Sequence, residues 1–129
     1  MRNGPTAQAI GRAGEEYAAD FLIKNGCTIV ERNYRIRGGE IDIVARDKND
    51  LVFVEVKTRA TSKYGYPEEG VHFFKKKRIA KAIRAYIQSH HISAESYVRF
   101  DIIAIEGVGK ISDMHVHHIK NIELGEDVF

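Results

Sequence analysis

Apolar periodicity along the chain predicts a mixed α/β domain built around a sheet that contains a hairpin. Two observations carry that prediction: two segments repeat their apolar residues every 3.6 positions, and the segments between them are short runs rich in β-branched residues. A third is the cluster Asp47-Lys48-Asn49-Asp50, whose turn-forming residues separate two such runs. The resulting order is α-β-β-β-α-β-β.

Residues 6–26 read as the first helix. Ile10, Gly14, Tyr17, Ala18, Phe21 and Leu22 fall on one face, and Asn25-Gly26 supplies the stop. Thr28 to Tyr34 is a strand, and Gly38-Gly39 breaks the chain after it. Glu40 to Ala45 and Leu51 to Lys57 form the two arms of the hairpin. Residues 60–70 hold Gly65, Pro67 and Gly70 and read as a loop. The second helix runs from about Val71 to His90, with Ile79, Ile83, Tyr86 and Ile87 on its apolar face. Tyr97 to Ile105 and Ile111 to Ile119 read as the last strands. The 129 residues suit one domain, with a short flexible start (1–6) and an acidic tail (123–129).

Composition narrows the functional classes. No apolar run approaches the length needed to span a bilayer, and the first residues lack the apolar stretch of a secretory signal. The one cysteine, Cys27, excludes an internal disulfide framework and a four-cysteine zinc site, so the expected location is cytoplasmic. Twenty Lys and Arg against 18 Asp and Glu leave a net charge of only +2, but the distribution is uneven. From Gly70 to Ala94 there is no acid, while Lys75, Lys76, Lys77, Arg78, Lys81 and Arg84 all fall there. Such a stretch suits a polyanion, or simply a solvated helix face. Lys77, Lys81, Arg84 and Gln88 cluster opposite the apolar stripe, whereas Lys75, in the first turn, lies near enough to that stripe to lean towards the sheet.

The hairpin carries the chemistry. Alternation places Phe53, Glu55, Lys57 and Arg59 on one face of its second arm and Val52, Val54 and Val56 on the other. On the first arm, Ile41 and Ile43 form the apolar face and Glu40 and Asp42 share the opposite one. With Lys48-Asn49 at the tip, Asp42 lies directly across from Glu55, at roughly 5 Å between Cβ atoms. Two carboxylates that close repel unless a cation neutralises them, and two hard oxygen ligands suit Mg²⁺ or Mn²⁺. Lys57, on the same face, can orient or deprotonate a water or stabilise developing phosphoryl charge. Glu15 sits at the edge of the first helix's buried face, where Gly11 and Gly14 permit close approach, and can complete the metal shell. The same Glu-x-Lys pattern also fits a surface salt bridge.

Asp42, twelve intervening residues and then Glu55-Val56-Lys57 resemble the PD-(D/E)XK nuclease signature. With Gly11-x-x-Gly14-Glu15, Gly39-Glu40-Ile41-Asp42, Thr58-Arg59, Lys75 and Arg99-Phe100-Asp101, the chain resembles the YraN-like bacterial family, related to archaeal Holliday-junction resolvases, from about residue 10 to about residue 122. The resemblance implies a restriction-endonuclease-like core, α-β-β-β-α-β, and Mg²⁺-dependent phosphodiester hydrolysis. It implies Asp42 and Glu55 as metal ligands, Lys57 as the catalytic lysine and Glu15 as a helix-borne acid. Ile41 stands where the superfamily's name has proline.

The leading expectation is therefore a metal-dependent endonuclease acting on DNA, more than on RNA, with branched or damaged DNA as substrate. Lys75, Lys77, Lys81, Arg84, Arg59, Arg35 and Arg37 are the candidate phosphate contacts. Cutting paired strands favours a homodimer. The rival reading is a nucleic-acid-binding module of the same fold with little or no hydrolysis. Tyr64 and Tyr66 suit either base stacking or core capping. His115, His117 and His118 read as part of an exposed edge strand, and Cys27 as a packing residue.

Overall fold

The computed structural model describes residues 6–59, 73–107 and 114–125. The expected loop at 60–70, with Tyr64 and Tyr66, lies outside them, as does most of the acidic tail. Helix α1 spans Ala7–Lys24. Thr6 caps it, its hydroxyl accepting from the Ala9 N–H at 3.1 Å, and Asn25 and Gly26 end it, with Gly26 at a φ of +90°. Strands β1 (Thr28–Ile36), β2 (Gly39–Asp47) and β3 (Asp50–Arg59) follow, then helix α2 (Phe73–Ser89) and strands β4 (Val98–Glu106) and β5 (His115–Ile119).

The five strands form one mixed sheet in sequential order. Neighbours are antiparallel except β3 and β4, which run parallel and are joined through α2. This is the α-β-β-β-α-β core expected for restriction-endonuclease-like folds, with β5 added at the edge.

The helices cover opposite faces. Leu51 and Phe53 of β3 pack with Ile79, Ile83 and Tyr86 of α2, while Val52 and Val54 pack with Ala18, Ala19 and Leu22 of α1. Strand β3 is thus buried on both sides over its first half, as a central strand of a mixed sheet must be. Close contacts set both helices. A Cβ at Gly14 would collide with the Thr58 methyl, so α1 rests on the end of β3. One at Gly39 would lie 2.6 Å from the Arg78 carbonyl, so β2 begins against the α2 backbone. Gly11, by contrast, faces open space.

One expected pattern fails. Ile41 packs on the α2 side and Ile43 on the α1 side, so they do not share a face. The β2–β3 ladder runs from Asp47–Asp50 to Ile43–Val54, and beyond it the approach of Gly39 to α2 draws Ile41 towards that helix. The tail is anchored at its start: Ile122 N–H donates to the Phe100 carbonyl at 2.7 Å, and Leu124 is buried beside α2.

Candidate metal-binding and catalytic site

The β2–β3 ladder ends at the residues just short of Asp42 and Glu55. Ile43 pairs with Val54, Val44 with Phe53 and Asp47 with Asp50, so the next positions outward are Asp42 and Glu55. There the carboxylate of Asp42 replaces a backbone acceptor: Val56 N–H donates to its Oδ2 at 2.8 Å. That bond fixes the side chain where the two arms separate.

Glu55 continues the face of Phe53, at the rim of the core under α2, and is only 5% exposed. The two carboxyls hydrogen-bond one another. Burial, then the Glu55 charge and that shared bond, raise the pKa of Asp42 to about 7, against the pull of the Val56 N–H and the Lys75 ammonium. Helix α2 supplies the compensating charge, since Lys75 Nζ forms an ion pair with Glu55 Oε1. A cavity of about 280 Å³ opens here, lined by Glu40, Glu55, Lys75, Arg78 and Ile79.

Lys57 is half-buried next along β3. Burial first, then Arg59 and Lys75, lower its pKa, with Glu55 opposing. Glu15 is half-buried on α1, and burial followed by the Asp42 charge raises its pKa, so the two acids sense each other. Among the described residues, however, no three His, Cys, Asp or Glu side chains converge closely enough to hold an ion. Of the three acids expected in the shell, Glu15 reaches the hairpin from the α1 side while Glu55 faces α2. The donor set still fits a hard divalent cation: two carboxyl groups that share a proton become two oxygen ligands once a cation displaces it, leaving room for water to complete the shell.

The basic candidates divide. Lys75 and Arg78 border the acid pair, whereas Lys77, Lys81 and Arg84 are exposed along the outer face of α2. Lys81 reaches Gly38 in the β1–β2 turn, bringing that row to the corner that holds the exposed Arg37. Arg35 lies within 3.6 Å of Glu40, and Arg59, half-buried, ends β3.

A second polar cluster escaped sequence reasoning. Fully buried Asp101 accepts from Arg99 Nε at 3.1 Å, from the Asn121 N–H at 2.9 Å and contacts His118 Nε2 at 2.8 Å. Arg99 extends to Asp47 at 2.9 Å and Asp50 at 3.3 Å, tying the hairpin turn to β4. Burial pushes the Asp101 carboxyl up, but these bonds outweigh it and hold the pKa below the usual range. His118 is thus half-buried, unlike the exposed His115 and His117. Cys27, buried beside α1, has a thiol raised by burial and by Asp47, as a packing residue should. Glu40, which lines the cavity, was placed on the Asp42 face by its two-residue spacing but was not among the expected site residues.

Fold and site together define a mixed α/β protein with an acid pair at the mouth of its central hairpin and an adjacent lysine on the same strand. A family model described as "Uncharacterised protein family UPF0102" matches residues 14–105. The chain belongs to that family, which bears out the YraN-like resemblance. It is 44% identical over 113 residues to a UPF0102 protein of Caldicellulosiruptor bescii, covering 87% of this chain and 94% of that one. It is also 43% identical over 122 residues to one of Trichlorobacter lovleyi, covering 92% of each. To one of Clostridium botulinum (strain Loch Maree) it is 45% identical over 112 residues, covering 87% and 91%. No helix among the described residues is long and apolar enough to cross a membrane.

Proposed function

We propose that this protein is a divalent-metal-dependent endonuclease that hydrolyses phosphodiester bonds in DNA, with branched or damaged DNA as its substrate class. The observation that carries this reading is the Asp42–Glu55 pair, two hydrogen-bonded carboxyls in a mostly buried setting whose electrostatic strain a bound cation would relieve. Bound there, Mg²⁺ or Mn²⁺ would supply Lewis-acid polarisation of the scissile phosphate. Lys57, its proton loosened by burial, orients the attacking water and accepts its proton. Glu15 lies on the flank of Asp42 and orients water rather than ligating at contact distance. Lys75, Lys77, Lys81, Arg84, Arg59 and Arg37 hold the nucleic-acid backbone, and a homodimer in the cytoplasm would match a two-fold substrate.

One observation favours a second reading. Lys75 already neutralises Glu55, so the face is charge-balanced without a metal and would serve a binding module of the same fold. A cleavage panel of duplex, single-stranded, flapped and four-way-junction DNA, in Mg²⁺, Mn²⁺ or EDTA, separates the two. Divalent-dependent cutting that disappears in Asp42→Ala and Lys57→Ala, purified identically, is the expected result. Salt-sensitive binding without cutting by the folded wild type would establish the binding module instead.

A further inference from the structure

Lys75 is placed in two settings at once. Its ammonium is paired with the nearly buried Glu55, yet the side chain is 44% exposed beside the cavity shared by Glu40, Glu55 and Arg78. It enters from the first turn of α2, an element distinct from the hairpin that bears the acids. Its four-carbon stem allows the head to move by several ångströms while the helix stays in place. Two carboxylates, Glu40 and Glu55, and two cations, Lys75 and Arg78, balance the cavity. A divalent ion at Asp42 and Glu55 would upset that balance, because it competes for the same oxygen and repels the ammonium.

We propose that Lys75 is an exchangeable counter-ion: it holds Glu55 in the metal-free protein and leaves it for a phosphate oxygen of the nucleic acid when a divalent cation arrives. The proposal rests on the metal-site reading above and assigns to Lys75 the coupling between metal loading and phosphate binding. Lys75 is a positioning residue in this scheme. Arg78, on the same wall of the cavity, stays as its fixed positive neighbour.

The test reads the lysine itself. Wild-type protein is acetylated with an amine-reactive ester at constant pH, with EDTA or with saturating Mn²⁺, and the rate at each lysine is followed by mass spectrometry. Lys48 and Lys120, at the opposite end of the hairpin beside Arg99, serve as internal references. Calorimetry on the same samples reports Mn²⁺ binding. Lys75 should react severalfold faster with Mn²⁺ while the references do not change. In Glu55→Gln its rate should be high without metal and insensitive to it. Lys75→Met should bind Mn²⁺ severalfold more tightly, because the ion no longer competes with the ammonium for the nearly buried Glu55. Mn²⁺ binding with an unaltered Lys75 rate, or an unaltered affinity in Lys75→Met, overturns the exchange and leaves the metal site standing. Absence of Mn²⁺ binding to wild type overturns the metal site, and the exchange with it.

Discussion

Asp42 is a side chain held against its own preference. Its pKa is about 7 in the folded protein and 3.8 in an unfolded chain, so between these values the folded state keeps a proton that the unfolded state releases. Its contribution therefore makes the metal-free protein less stable as pH rises from about 4 to about 7, the reverse of the usual carboxylate behaviour. Asp42→Asn keeps an acceptor for the Val56 N–H and removes the charge. In EDTA at pH 8 it should melt higher than wild type, by about 4 °C for each kcal/mol regained. It should also abolish any rise in Tm that Mn²⁺ gives the wild type, and a melting series with and without Mn²⁺ checks both. Much of this site was legible in advance. Turn chemistry at Asp47–Asp50 implied the register, and register placed Asp42 against Glu55. The depth of Glu55 was not legible, because it depends on α2 folding over the same face that local alternation left open.

The helices illustrate how much can hang on a missing side chain. At Gly14 a methyl would strike Thr58, and α1 would have to lift away from β3. Gly14→Ala should therefore destabilise by about 1–3 kcal/mol in urea unfolding, and Gly14→Ala/Thr58→Ser should recover part of that loss. Gly11 lies one turn earlier on the same helix with nothing near it, so Gly11→Ala should instead stabilise by about 0.5–1 kcal/mol through helix propensity alone. Both glycines looked alike in the sequence, where each suggested close approach. Only packing separates them. The same limit explains Ile41: two-residue alternation cannot foresee that Gly39 presses on α2 and turns the start of β2.

Two acids near opposite ends of the hairpin, half-buried Asp42 and fully buried Asp101, give the molecule opposing responses to pH. The Asp101 carboxyl lies below its unfolded value, so its stabilisation is present above about pH 4 and lost as pH falls through the lower folded value. Asp42 acts in the other direction above that point. Together they favour a stability maximum on the acid side of neutrality in EDTA, and divalent cation should move it towards neutral pH. Denaturant titrations from pH 3 to pH 8 would show the shift, and Asp101→Asn should flatten the acid limb. Asp101→Ala, which removes the acceptor of His118 and the Asn121 N–H and one of the three carboxylates around Arg99, should cost about 1–3 kcal/mol. This cluster joins the β2–β3 turn, β4 and β5, whose pairing no local pattern reveals, and so it was not foreseen.

The turn that Arg99 grips has an implication for how the family can vary in length. Surface loops commonly accept insertions, but the spacing between Asp47 and Asp50 sets which residues of the two arms meet several positions away. One extra residue at the tip would offset Asp42 from Glu55 and separate the two carboxyls without touching either. The distant tip thus acts as a ruler for the acid pair, and deletions and insertions there should disturb the pair as much as substitutions at the acids themselves.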